Sequence, residues 1–477
     1  MSPSTSTPGR ITPSTYASLG VRPVINASGT YTVWSGSRML DVAAAAMVEA
    51  TNGYVGISEL MEAIGARLAE ITGAEWGYIA CSCAAAINQI TAAAIAGGDP
   101  EKITRLPDTT GMRNEIIQEG CLRSGYEQCM RIAGGTVVTV DTETDLRAAI
   151  GERTALVFID GDAEARSRIT PQRMIAIARE QGVPTFVDAA AQRLEVPNRY
   201  LEMGADSVAY SGGKCLRGPQ ASGLILGRKD LLRAAYLHAS PHGSQGRSMK
   251  VGKEEAMALL AAVEAFLLGR DHAAEWKMWE GYLETVRAAV ADVSTVTTEY
   301  EMPGVANVTP YLNIGWDHEA LGRTPRQAHA DLLDGEPRVL VSLRGDKLQI
   351  NPYMMEDGDD AVVADRVREV LTTPVAAEPV LPEAPPTVDI TGDWRIRMRF
   401  VYGEAVHTIQ AVQEGAQVRG TYRTQYGQQE LSGTVSGSRV TLRGRYPMSG
   451  TVDGDTMQGT AAAGAEWPAT WNASREG

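Results

Sequence analysis

Apolar positions in the first 250 residues fall into short continuous runs separated by stretches of helical spacing. Residues 77–80, 136–140, 155–160, 184–188 and 207–210 read as strands, and 58–72, 84–96 and 171–181 as helices. Such alternation predicts a doubly wound α/β domain with a mostly parallel sheet. From 252 to 293 the spacing is helical. Strands at 308–314, 338–343 and 347–350, then a helix at 359–371, predict a small C-terminal α/β subdomain of the same body. After residue 388 the period shortens to two, at 394–400, 418–422, 431–435 and 440–446, with Gly415, Gly427, Gly437 and Gly454 as punctuation. This predicts an all-β meander closed, or nearly closed, as a small barrel.

Composition divides the chain. Residues 373–387 hold Pro374, Pro379, Pro382, Pro385 and Pro386 and read as an extended linker. The expected parts are an N-terminal arm (1–20), a large domain (21–250), a small subdomain (251–372), the linker (373–387) and the β domain (388–477). The formal net charge is −14, and residues 388–477 contribute nine Arg against nine Asp or Glu, so all of it lies upstream. That balance argues against a nucleic-acid partner. The five cysteines, Cys81, Cys83, Cys121, Cys129 and Cys215, match no zinc spacing. Cys81 and Cys83 read either as a metal or redox pair or as small buried residues, and the second reading is preferred, so no metal is expected. The Ser/Thr/Pro-rich start lacks the apolar core of a secretory leader, and no apolar run spans a bilayer, so a soluble cytoplasmic protein is expected.

Three segments carry candidate chemistry. In the first, a strand enters Ser211-Gly212-Gly213, presents Lys214, and leaves through Gly218-Pro219 to another apolar strand. A lysine on a glycine turn at a sheet edge suits an amine that must attack an aldehyde, although a surface loop lysine reads equally well from this segment alone. Twenty-six residues upstream, the run 182–187 ends in Asp188. A carboxylate there either caps a helix or keeps a heteroaromatic nitrogen protonated. In the third, a strand gives way to Cys81, Ser82, Cys83 and Ala84 at the head of a helix of small residues, where backbone amides and the Ser82 hydroxyl suit a phosphate. In chain order the three make a phosphate cup, a ring-nitrogen partner and a carbonyl-capturing lysine.

The phrases Val24-Ile-Asn-Ala-Ser-Gly-Thr30, Val187-Asp-Ala-Ala-Ala-Gln192, Gly213-Lys-Cys-Leu-Arg-Gly-Pro-Gln220 and Gly246-Arg-Ser-Met-Lys-Val-Gly-Lys-Glu254 resemble those of fold-type-I enzymes dependent on pyridoxal 5'-phosphate (PLP). The resemblance is to the group of selenocysteine synthase and D-glucosaminate-6-phosphate ammonia-lyase, over residues 20–370. It implies a seven-stranded sheet, a Schiff base at Lys214, Asp188 at the pyridine nitrogen, and Ser82, Cys83 and Ala84 at the cofactor phosphate; Cys81, Gln192 and Ser211 are counted with the cofactor site, and Arg217, three residues past the lysine, reads as reaching either the cofactor or a substrate phosphate. It also implies a homo-oligomer with sites at subunit interfaces. Where many such enzymes place an aromatic ring over the cofactor, Gly111 to Glu115 offers none, leaving Arg113 or Asn114 or a solvated loop. Arg344 is the candidate for a substrate carboxylate, with a surface ion pair as the competing reading. His238, His242, Arg247 and Lys250 lie in a glycine-rich stretch that reads as an active-site loop, with His238, His242 and Arg247 as candidate substrate contacts; a solvated loop is the competing reading for the histidines, and Arg247 and Lys250 suit either an acidic substrate or a neighbouring subunit's cofactor phosphate.

The expected reaction is removal of the α-proton of an amino-acid-like substrate by Lys214, then loss of a β-substituent to give a 2-keto acid and ammonia. Racemisation, aldol cleavage and transamination start from the same carbanion, and a non-catalytic binding scaffold is a reading of another class. For the β domain, an interaction or lid module and a stabilising appendage are both open.

Overall fold

The computed structural model describes residues 14–374, 384–462 and 468–476. Most of the expected arm and of the proline-rich linker (1–13 and 375–383) lies outside the described residues. The chain divides into two compact units, Met1–Val375 and Ala376–Gly477.

The first unit is built on a seven-stranded sheet of β1 (Trp76–Ala80), β2 (Glu115–Glu119), β3 (Thr136–Val140), β4 (Thr154–Asp160), β5 (Thr185–Asp188), β6 (Ser207–Ser211) and β7 (Gly223–Gly227). The order across it is β1-β7-β6-β5-β4-β2-β3, and every pair is parallel except the two made by β7. Strands β1 and β4–β7 are buried almost throughout, which is why they read as unbroken apolar runs: helices cover both faces. Sequence periodicity missed β2. Its polar Gln118 and Glu119 are buried, and they are satisfied by distant partners: Gln118 donates to Glu127 (2.6 Å), and Glu119 accepts from the amides of Arg168 (2.7 Å) and Ile169 (3.0 Å).

The helices that position the site are α1 (Asp41–Ala50), α2 (Ile57–Thr72), α3 (Cys83–Ala96), α4 (Pro171–Glu180) and α5 (Lys229–Leu237). Helix α3 is buried on nearly every side, and its alanines let it approach both the sheet and α5 closely. The expected helical stretch 252–293 resolves into α6 (Lys253–Glu264), a wider turn at Ala265–Gly269, and α7 (His272–Ala289), which Asp271 caps through the amides of Ala273 and Ala274.

The small subdomain holds an antiparallel sheet of β8 (Thr297–Glu301), β9 (Tyr311–Gly315), β10 (Ser342–Arg344) and β11 (Lys347–Ile350), ordered β10-β11-β9-β8, with α8 (Pro325–Asp334) and α9 (Asp359–Thr372). Its core joins Leu283, Leu312, Ile314, Leu348 and Val367. The single strand expected at 338–343 is split: Val339–Leu340 pairs in parallel with Ile25–Asn26 before β10 begins.

The second unit is a closed eight-stranded antiparallel barrel: β12 (Gly392–Arg399), β13 (Glu404–Glu414), β14 (Gln417–Thr424), β15 (Gly427–Ser436), β16 (Arg439–Arg443), β17 (Pro447–Asp453), β18 (Thr456–Ala462) and β19 (Pro468–Glu476). Closure removes the free edges that a flat sheet of this length would expose. The interior is filled by Trp394, Ile396, Met398, Tyr422, Leu431, Leu442 and Trp471. Both indoles satisfy their N–H groups, Trp394 on the Ile390 carbonyl (2.8 Å) and Trp471 on that of Thr460 (3.0 Å). A glycine makes room for the second, since a Cβ on Gly450 would lie 2.7 Å from the Trp471 ring. No helix among the described residues is long and apolar enough to cross a membrane.

Candidate active site

The parallel strands β2–β6 all end at one edge of the sheet, the edge at which open α/β sheets bind ligands. Strand β5 ends there in Asp188, whose neighbours in register are Asp160 on β4 and Ala209 on β6. Asp188 is buried and accepts the Ala190 amide (3.2 Å). Burial, with the charges of Asp162 and Asp160 behind it, pushes its carboxyl up to about 7, against the opposing pull of Lys214. Asp162 is likewise pushed up to about 6, chiefly by burial.

Lys214 sits on the loop between β6 and β7. The Gly212 amide donates to Ser222 (3.0 Å), the Gly218 amide to Gly212 (2.7 Å) and the Arg217 amide to Lys214 (3.0 Å), so the loop is fastened by its own backbone. Close approach requires the glycines. A Cβ on Gly212 would fall 1.9 Å from the Ser222 hydroxyl, and one on Gly213 would fall 2.3 Å from the Gln220 side chain. Lys214 is thus presented on a rigid turn, one strand over from Asp188.

The phosphate cup is the head of α3. Ser82 is extended, and its Oγ accepts the Ala85 amide (3.0 Å), which leaves the hydroxyl hydrogen free to donate. The first-turn amides of Cys83 and Ala84 have no intrahelical acceptor. Burial holds the Cys83 thiol well above its ordinary range and raises that of Cys81, so both stand as neutral wall residues. Among the described residues no cluster of metal-ligating side chains occurs. Gly223 of β7 lies against this turn, where a Cβ would come within 2.6 Å of the Ser82 carbonyl carbon and 2.8 Å of the Cys83 nitrogen. Gly223→Ala is therefore expected to displace the cup and weaken cofactor retention roughly tenfold. Cofactor stoichiometry after gel filtration, with circular dichroism as a control for folding, checks this; unchanged stoichiometry overturns it.

Other expected positions divide. Ser211 ends β6, its amide donating to Ala190 (3.1 Å) beside the Asp188 turn. Gln192 is buried with its amide engaged by the Tyr200 hydroxyl (2.9 and 3.0 Å), so it braces that turn from behind. Arg217 is occupied: its Nε donates to the Arg38 carbonyl (3.1 Å) and its guanidinium pairs with Glu356 (3.4 Å). Arg344 closes β10, exposed, and pairs with Glu301 (3.4 Å). Arg247 and Lys250 are exposed.

Two expectations need correction. His238 is wholly buried at the end of α5, with Nε2 2.9 Å from the Gly97 carbonyl, and burial lowers its basicity. It is a core histidine, because the stretch after it folds back on α3, where Gln245 donates to Asn88 (2.7 Å). His242, half-buried, stands edge-on to Tyr236 at 5.0 Å in the same folded-back stretch. Arg113 and Asn114 precede β2 and so lie at the opposite edge of the sheet from Asp188; Asn114 is engaged by Thr109 (2.9 Å) and Thr136 (3.2 Å). The segment at the correct end of β2 is Gly120–Leu122. Sequence reasoning also missed Asp160 and Asp162, whose signal was an apolar strand closing on two carboxylates.

The residues present fit PLP. A buried carboxylate with a raised pKa calls for a cationic partner such as a protonated ring nitrogen, and the glycine-backed head of α3 leaves amides and a hydroxyl for a phosphate.

Comparison with known proteins agrees. Over 374 residues the chain is 28% identical to D-glucosaminate-6-phosphate ammonia lyase of Salmonella typhimurium, covering 76% of this chain and 98% of that one. Over 373 residues it is 30% identical to 5'-C-glycyluridine monooxygenase-decarboxylase of a Streptomyces species, covering 75% and 92%. A solved structure of D-glucosaminate-6-phosphate ammonia-lyase superposes with a TM-score of 0.67 at 28% identity, covering 76% of this chain and 99% of that one. Residues 15–261, which carry the cup, Asp188 and Lys214, match the family model described as Cys/Met metabolism PLP-dependent enzyme. The chain belongs to that family, and PLP is its cofactor.

Proposed function

We propose that the protein catalyses α,β-elimination from an amino-acid-like substrate: the α-proton is removed, the β-substituent leaves with its bonding electrons, and water hydrolyses the released enamine to ammonia and a 2-keto acid. The observation that carries this is the presentation of Lys214 beside the buried Asp188, in a body similar over nearly all of its length to an ammonia lyase. PLP, when bound, supplies an electron sink for the carbanion formed at the substrate α-carbon. Lys214 anchors the cofactor and then moves the α-proton at its Nζ. Asp188 keeps the ring nitrogen protonated. Ser82 and the amides of Cys83 and Ala84 hold the phosphate, and Arg344, released from Glu301, receives the substrate carboxylate.

The relative that is a monooxygenase-decarboxylase motivates a second reading, oxidative decarboxylation on the same scaffold. A panel of D- and L-amino acids, hydroxy and sugar-derived ones included, assayed with and without oxygen, separates the two. Equimolar ammonia and keto acid, formed without an acceptor and without oxygen, is the expected result. Oxygen-dependent carbon dioxide release, loss of chirality alone, or a requirement for an amino acceptor overturns elimination.

A homo-oligomer is part of the same reading. It is supported by exposed apolar side chains at Tyr16, Leu19, Val21, Tyr31 and Val33. Free cysteines throughout the described residues support a cytoplasmic setting.

A further inference from the structure

We infer that Asp162 is a positioning residue of the cofactor site, fastening the turn that follows Asp188 and placing a carboxylate within electrostatic reach of Lys214. This rests on Lys214 as the cofactor anchor. Asp162 lies two residues beyond the end of β4, and both of its carboxylate oxygens accept the Ala191 amide (2.9 and 3.1 Å). Ala191 belongs to the short turn that hangs from Asp188. That turn is fixed on three further sides: the Ala189 amide donates to Ala209 (3.0 Å), the Ser211 amide to Ala190 (3.1 Å) and the Asn307 amide to Ala191 (2.8 Å). Asp162 thereby couples the end of β4 to the Asp188 turn, and through it to the strand that delivers Lys214 and to the segment leading into β9.

The charges around it are unbalanced. Asp160 stands in register with Asp188, and its Oδ1 accepts the Ala163 amide (3.1 Å), fixing the turn that carries Asp162. Within electrostatic reach of Asp162 are Asp160 from β4, Asp188 from β5, Lys214 from the glycine loop, Cys83 from the head of α3 and Tyr200 from the short helix Arg199–Glu202. Glu164, further along the same turn, is already paired with Arg199 (3.0 Å). Three carboxylates, Asp188 buried and Asp160 and Asp162 half-buried, thus act on one amine, with Arg166 offsetting Asp160 alone, an arrangement that favours added positive charge. A protonated ring nitrogen at Asp188 and a protonated linkage at Lys214 supply it. The negative charge of Asp162 then stabilises the protonated form of the lysine-bound cofactor and sets where its absorbance titrates.

The test is a pH titration of the visible absorbance of the holoenzyme. Asp162→Asn keeps an oxygen for the Ala191 amide and removes the charge, so the midpoint is expected to fall by about one pH unit. Asp162→Glu, which keeps the charge, should hold the midpoint within about 0.3 units of the unaltered protein on the same scale. An unmoved midpoint in Asp162→Asn, or an equal fall in Asp162→Glu, overturns the inference. If Asp162→Asn does not fold, Asp162→Ser is titrated in its place under the same criteria. Lys214→Ala separates the two claims. If it keeps the titrating band, the anchor assignment fails. If it loses the band while Asp162→Asn titrates unchanged, only the role of Asp162 fails.

Discussion

Lys214→Ala is expected to lower turnover by at least about three orders of magnitude and to abolish the visible absorbance of the bound cofactor. A positioned general base contributes roughly 10²–10⁴ in rate, and here the same amine also tethers the cofactor. The loop that carries it is closed by backbone bonds from Gly212, Gly218 and Arg217, none of which uses the lysine side chain. The variant therefore folds, and lost activity reports lost chemistry. Absorbance spectra and single-turnover assays on the purified variant decide it: retention of both signals removes Lys214 from the site.

Asp188→Asn is expected to reduce kcat by roughly 10²–10³, with a smaller change in cofactor content. Asparagine matches the size of aspartate but cannot balance a protonated ring nitrogen. The same substitution has a signature in the apoprotein. The Asp188 carboxyl titrates near 7 when folded, well above an exposed aspartate, so between about pH 4 and pH 7 the folded chain binds a proton that the unfolded chain has released. Folding stability attributable to this group therefore falls as pH rises through that window. Denaturant unfolding of the apoprotein at pH 5 and pH 8 should show a drop that Asp188→Asn reduces. A variant with unaltered kcat, or one whose stability loses as much between the two pH values as the unaltered protein, contradicts the assignment.

The centre of this site was legible because its parts lie in short uninterrupted phrases. Asp188 ends an apolar run, Lys214 follows two glycines, and Ser82 precedes a helix of alanines, so strand, turn and cap each left a local mark. What was not legible depends on contacts between distant segments. Strand β2 reads as polar because Gln118 and Glu119 find partners from residue 127 and residues 168–169, and these make their burial affordable. His238 reads as a loop residue, because nothing local announces that Gly97 will accept its hydrogen bond or that Gln245 will fold back onto Asn88. Asp160 and Asp162 look like the ordinary acidic end of a strand, and only register with Asp188 and the bond to Ala191 distinguish them. The barrel, by contrast, was readable as a class from its period of two, since each strand has one wet face and one dry face.

The packed interior of that barrel limits how it can serve the enzyme. Many barrels of eight strands carry cargo in a lumen, but here two tryptophans and a tyrosine lie where cargo would go, and Gly450 and Gly444 leave space against Trp471 and Tyr422. Any recognition by this module therefore falls to its outer strands and loop tips. Residues there are free to diverge without disturbing the inner packing, so a mutational scan for its role belongs on the outside.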